Sequence, residues 1–209
     1  MEQLLAFLLT FTPPSHIDLG KQVAQEVHEV VSSGGALINL SEEQTEKLLL
    51  LWSWYESKWD PATVGDSGRS IGVMQVNVNH LKAHGYISSE VKNSRKLGLE
   101  IGLVVMKEAI VLCRDHKNLI RAGMGMYSTG RCGGAPELVT WRLKMAGLGA
   151  FESSSLRPSK IIKTPPCFKI LILKEILRDL VSLLSKRKVD ARQLVFDQKS
   201  VLGWMQPIL

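Results

Sequence analysis

Between Ser41 and Pro61 the chain specifies both ends of one helix. Ser41 followed by Gln44 has the form of a capping box, in which each side chain satisfies the other residue's backbone N–H. Asp60-Pro61 forces an exit, because the residue before a proline is driven out of helical geometry. The run Lys47-Leu48-Leu49-Leu50-Leu51-Trp52 carries the helix to about Lys58 and sets Glu56 in its last turn. Whatever else the chain does, it must accommodate a helix with those two ends.

The flanking segments are helical too. Leu19, Val23, Val27 and Val30 or Val31 recur at three- and four-residue spacing until Ser32-Ser33-Gly34-Gly35 stops the pattern. Similar periodicity predicts helices around Met74–His84, Leu97–Leu112, Asn118–Met126 and Pro136–Ala146, with Pro136 suited to a first helical position. Gly65, Asp66, Ser67, Gly68 and Arg69 supply turn chemistry for a small hairpin or an irregular loop. Nothing alternates strand with helix as a parallel sheet requires. The expected fold class is therefore mainly α, with at most a small β-hairpin.

At the start, Leu4 to Phe11 has the apolar character of a signal peptide but lacks a preceding positive charge and a small-x-small cleavage site. It reads as a short helix or arm packed on the body. Ser153-Ser154-Ser155 and Arg157-Pro158 form a hinge, so the chain divides into an N-terminal arm and helix (1–40), a helical body (41–151) and a C-terminal helical extension (152–209). In that extension Leu173, Ile176, Leu177, Leu180 and Leu184 line one face, against Lys174, Arg178, Ser182 and Ser185 on another.

The net charge of +6 is unevenly placed. Residues 156–209 carry eleven Lys and Arg against four Asp and Glu, leaving the first 155 residues at fifteen against sixteen. A basic tail of this kind is attracted to anionic cell-envelope or membrane surfaces, or is simply a solvated helix face. No helix-turn-helix or RNA-binding signature accompanies it, so no specific nucleic acid is expected as a partner. No stretch approaches the roughly 18–20 apolar residues that cross a bilayer.

Cys113, Cys132 and Cys167 are odd in number, with spacings of 19 and 35, and form no metal motif. Free thiols and folding in a reducing cytosol are the expectation. His80 and His84 stand four apart, but no Glu follows His80 as a zinc-protease helix needs, so they read as surface histidines and no metal or other cofactor is expected. Gly65 to Gly72 lacks both the preceding strand and the Gly-Lys-Ser/Thr ending of a phosphate loop.

The chemistry concentrates around Glu56. Trp52, Trp54 and Trp59 fall within eight residues of one another, with Tyr55 and Glu56 between them. A carboxyl group screened from water by aromatic rings has its charged form disfavoured and can serve as a general acid near neutrality. Aromatic rings also stack on the apolar faces of sugars. Against this stands the plainer reading, in which the tryptophans are core and the Glu is solvated.

Glu56-Ser57-Lys58-Trp59-Asp60-Pro61, Gly68 to Ser70, Gly72-Val73-Met74-Gln75-Val76-Asn77 and Met126-Tyr127-Ser128-Thr129-Gly130 together resemble the soluble lytic transglycosylase family, with its lysozyme-like domain. The family's three blocks, a Glu-Ser, a Gly-Leu-Met-Gln and an Ala-Tyr-Asn-Ala-Gly, are met in order over about residues 43–149. The resemblance implies a lysozyme-like fold for the body and a peptidoglycan glycan strand as substrate. It makes Glu56 the single catalytic acid, Ser57 a positioning neighbour, Met74 and Gln75 groove-lining residues, with Asn77 beside them, and Tyr127 the phenol that reaches the glutamate. Ser128 stands where the family has Asn, a shorter hydrogen-bonding side chain. The Asn that commonly precedes the central helix glycine is missing near Gly98 to Gly102.

The implied reaction is lytic transglycosylation. The glutamate protonates the oxygen linking N-acetylmuramic acid to N-acetylglucosamine, then takes the proton of the C6 hydroxyl as a 1,6-anhydro ring closes. Hydrolysis would instead need a second carboxylate. Asp66, in the Gly-rich loop, is the candidate; Asp60 suits a turn or cap, and Glu100 a structural ion pair with Arg95 or Arg121. A non-catalytic glycan-binding or assembly module is the reading from another class. The implied place of action is the bacterial cell wall or periplasm, reached from the cytosol as a phage lysin, a virion-associated enzyme or the cargo of a specialised secretion machine.

Overall fold

The computed structural model describes residues 1–149; the C-terminal extension at 152–209, with its expected hinge, amphipathic helix and Cys167, lies outside the described residues. Among the described residues eight α-helices and three short strands follow one another: α1 (Glu2–Leu8), α2 (Ile17–Gly34), α3 (Glu42–Ser57), β1 (Val64–Gly65), β2 (Ser70–Ile71), β3 (Val76–Asn77), α4 (Val78–Ala83), α5 (Ser88–Asn93), α6 (Arg95–Leu112), α7 (Leu119–Thr129) and α8 (Pro136–Met145). The fold is mainly helical, with one small antiparallel sheet.

The helix anchored by Ser41 is the centre of the core. Ser41 accepts from the Gln44 N–H and Gln44 returns a bond to the Ser41 backbone, so the capping box is complete. Leu48, Leu49, Leu50, Leu51 and Trp52 are all fully buried. A helix apolar all round must be enclosed, and α3 packs against α1, α2, α6 and α8. It ends where Lys58 and Trp59 both take positive φ, 56° and 66°. The arm at the N-terminus is α1, whose Leu4 and Leu8 are buried in the same core. α2 buries Val23, Ala24, Val27, Val30 and Val31 along one face, ending in the Gly34-Gly35 stop. It is tied to α6 by a two-point ion pair, Arg95 Nε to Glu26 Oε2 at 2.7 Å and Arg95 Nη2 to Glu26 Oε1 at 2.8 Å.

Two expectations are corrected in the 61–84 segment. The hairpin is a three-stranded sheet, β1-β2-β3, with Val64 opposite Ile71 and Ile71 opposite Val76. The helix expected from Met74 begins only at Val78, because Met74 and Gln75 belong to the β2–β3 turn. That turn needs Gly72 at φ +79° and Gln75 at φ +48°, which a helix start does not tolerate. The turn lies against α6 because α6 carries glycines there. A Cβ on Gly98 would come within 2.7 Å of Val73 Cγ1, and one on Gly102 would collide with Met74.

The cysteines overturn a third expectation. Cys113, at the end of α6, and Cys132, just after α7, form a disulfide with Cα atoms 5.6 Å apart. α6 and α7 make the most extensive helix pairing in the described fold, and Ile110 approaches Gly123 too closely for a side chain there. Folding α7 back along α6 brings together two cysteines whose spacing alone signals nothing.

Candidate active site

Glu56 lies in the last turn of α3, and one carboxylate oxygen, Oε1, is held by Nη1 of Arg142 on α8. The Arg142 side chain is only 7% exposed and that of Glu56 22% exposed. The guanidinium lies 4.6 Å from the Trp52 ring and 5.7 Å from that of Tyr55, a cation on aromatic faces. The rings of Trp52 and Tyr55 thus lie on the guanidinium, and the direct partner of the carboxylate is that cation, 86 residues away. Sequence reasoning missed Arg142; a single Arg in an amphipathic helix carries no local mark. Around the pair, Tyr55 meets Trp141 edge-on at 4.7 Å, and Lys58 Nζ sits 4.4 Å from the Trp54 ring. Burial lowers the Lys58 ammonium from its usual value, and the nearby Arg142 charge adds to that.

The tryptophan cluster divides by role. Trp59 is fully buried and donates towards Leu50 O at 3.2 Å and Ser53 Oγ at 3.1 Å, so it is core. Trp54 packs on Trp59 at 4.6 Å and is also buried. Trp52 faces Arg142 on one side and Tyr127, edge-on at 6.1 Å, on another.

Tyr127 does not place its hydroxyl on Glu56. The phenol donates to Met74 O at 2.6 Å. Burial pushes the Tyr127 phenol well above its usual value; the charge of Glu56 adds to the rise and that of Arg142 opposes it. The tyrosine therefore senses both members of the ion pair without bonding the carboxylate. Met74 is likewise corrected. Its side chain is fully buried against α6, so it is a core residue whose carbonyl, not its thioether, meets Tyr127. Ser57 is buried, with its hydroxyl 2.9 Å from Val73 O and 3.1 Å from Ser53 O. Gln75 braces the sheet, its Nε2 donating to Thr63 O at 3.1 Å and Gly72 O at 2.9 Å. Asn77 is exposed and caps α4 by accepting from the Asn79 N–H.

Three polar atoms near these residues are buried without a hydrogen-bond partner: Arg142 Nε, Trp52 Nε1 and Ser128 Oγ. Leaving such a group unpaired costs on the order of 1–3 kcal/mol, which the packing around α3 must offset.

The other carboxylates have plainer roles. Asp60 accepts from the Ala62 N–H at 2.9 Å, the turn role its position implies. Asp66 is exposed, at φ +49°, and accepts from Ser70 Oγ at 2.6 Å. Arg95, expected beside Glu100, is engaged by Glu26 instead. Comparison with protein-family models, curated proteins and solved structures found no match, so the site is read from its own chemistry.

Proposed function

We propose that this chain is a peptidoglycan lytic transglycosylase, cleaving the MurNAc–GlcNAc β-1,4 bond with Glu56 as its single acid–base and leaving 1,6-anhydro-MurNAc ends. One observation carries the reading. Three blocks far apart in sequence converge on the end of α3: Ser57, next to Glu56, hydrogen-bonds to Val73 O, and Tyr127 to Met74 O. The 56–61, 72–77 and 126–130 blocks are thus one spatial unit, and Tyr55 and Trp141, both reaching the surface beside it, are aromatic rings suited to sugar faces.

In this mechanism the Glu56 carboxyl donates to the glycosidic oxygen as the bond breaks. The sugar's own N-acetyl group eases the positive charge at C1. Glu56, now a carboxylate, takes the C6 hydroxyl proton while O6 bonds to C1. Arg142 stabilises the carboxylate left after the first transfer. In the resting enzyme the same contact must loosen for the carboxyl to carry a proton. Ser57, Gln75 and Tyr127 hold the turn and the helix end in register, and Ser128 is the remaining side chain assigned to the substrate. The Cys113–Cys132 disulfide suits action outside a reducing cytosol, at the cell wall or periplasm. The basic residues at 156–209 suit an anionic envelope surface.

The Glu56–Arg142 pair favours a second reading, a non-catalytic glycan-binding or assembly module in which that pair is structural. Mass analysis of muropeptides released from purified sacculi separates the two. Products lighter by one water, abolished in Glu56→Gln, are the expected result. Undiminished release by Glu56→Gln sinks the proposal, no release by the unsubstituted chain favours the binding module, and hydrated ends point to hydrolysis with Asp66 as second carboxylate.

A further inference from the structure

We propose that His80, His84 and Glu108 form a divalent transition-metal site, fitted to Zn²⁺, that staples the end of α4 to α6. His80 lies in α4, and His84 is its C-terminal cap residue, so the two imidazoles stand one turn apart on the same face. Their rings stack with centroids 4.4 Å apart and planes 28° from parallel. Glu108 approaches from α6, its Oε2 lying 3.2 Å from His80 Nε2 and 3.6 Å from His84 Nε2. All three candidate ligand atoms fall within 4.8 Å of one another.

Two features point to a metal over a simple ion pair. A tetrahedral ion with N and O ligands at 2.0–2.2 Å has ligand-to-ligand edges of about 3.4 Å, and the two N···O separations straddle that value. His80 Nε2 is also a buried atom with no hydrogen-bond partner, although a carboxylate oxygen lies 3.2 Å away. The nitrogen and oxygen sit at contact range without the alignment of a hydrogen bond, as two ligands do when both point at a shared ion. Two imidazoles and a carboxylate are a donor set for Zn²⁺, or for Ni²⁺ or Cu²⁺ by affinity order. α4 follows directly from β3, and α6 carries the Val73–Met74 turn on its glycines, so a metal here would pin the sheet to the helix that supports it. This site is separate from Glu56 and does not depend on the glycan reading.

Isothermal titration of the full-length chain with Zn²⁺, disulfide intact and without thiol reductant, tests it. One equivalent binding at micromolar affinity or tighter is expected. His80→Ala, His84→Ala and Glu108→Gln should each weaken it by about tenfold or more, while His116→Ala, at an exposed histidine elsewhere, and Cys167→Ser leave it unchanged. Saturating Zn²⁺ should raise Tm by several degrees, and Co²⁺ should give the visible absorption of a tetrahedral site. His84 is exposed, so His84→Ala keeps the comparison valid even where His80→Ala fails to fold. No binding by the unsubstituted chain, or binding that survives His84→Ala, overturns the proposal.

Discussion

The protein uses the same chemical pair, an arginine on a glutamate, in two regions with opposite results. Arg95 and Glu26 join α6 to α2 through two parallel bonds, and both carboxylate oxygens are used. Arg142 meets Glu56 through one nitrogen and one oxygen, with the guanidinium more deeply buried and its Nε left without a partner. A bidentate pair is satisfied by the protein alone. The one-point pair leaves one guanidinium nitrogen unpaired in the protein interior, a cost the bidentate pair does not carry.

Replacing Glu56 by Gln gives the largest contrast. Glycan-strand cleavage, read as muropeptide release, should fall by about 10³-fold, within the range for loss of a general acid. Glu26→Gln should leave cleavage within a factor of two. Equal losses from the two changes would erase the distinction between the pairs.

Removing the covalent tie comes next. The disulfide closes a loop spanning 19 residues, so Cys113→Ser with Cys132→Ser should cost about 3 kcal/mol in urea unfolding. Because the tie joins the ends of the α6–α7 pair, Tyr127 should lose hydrogen-exchange protection before the Arg95–Glu26 end of α6 does.

The arginines themselves sharpen the comparison through stability. Arg142→Met should cost about 2 kcal/mol, below the 3–5 kcal/mol of a wholly buried broken pair because the stranded Glu56 still reaches water. Arg95→Met should cost nearer 1 kcal/mol. A reversed order, measured by denaturant midpoint, would mean that Arg142 is held by its aromatic neighbours and not by Glu56.

The smallest effect is in alkaline pH. Tyr127 has its phenol raised above the usual 10.0 in the folded state. Below that value it is protonated whether folded or unfolded, and stability does not depend on it. As pH rises past 10.0 the unfolded chain releases this proton first, so folded stability falls with pH until the folded group also ionises. Tyr127→Phe should flatten that alkaline slope while losing the bond to Met74 O. An unchanged slope would mean that the Tyr127 phenol is not shielded from water in the folded chain.

Much of the helical framework was legible because its signals are local. The Ser41–Gln44 box, the Ser32–Gly35 stop and Pro136 each act within one turn of backbone, and each marks a helix end that the fold retains. Met74 misled because an apolar residue at helical spacing also suits a buried turn, and the deciding torsion at Gln75 has no residue-type signature. Trp59 and Trp52 are the same residue type seven positions apart and both are fully buried, yet only Trp52 borders the ion pair. That choice depends on which elements pack around α3.

What the chain determined by itself is therefore its helices, their ends, and a carboxylate in the last turn of one of them among aromatic residues. Only the tertiary structure decided that Arg142 faces Glu56, that Cys113 closes on Cys132, and that His80 and His84 meet Glu108. Capping and periodicity are written in neighbouring residues and act over a few ångströms of chain. Pairings across 19, 24 or 86 residues exist only after the core has packed, because the enclosure of α3 and the glycine faces of α6 set which side chains arrive at the same place.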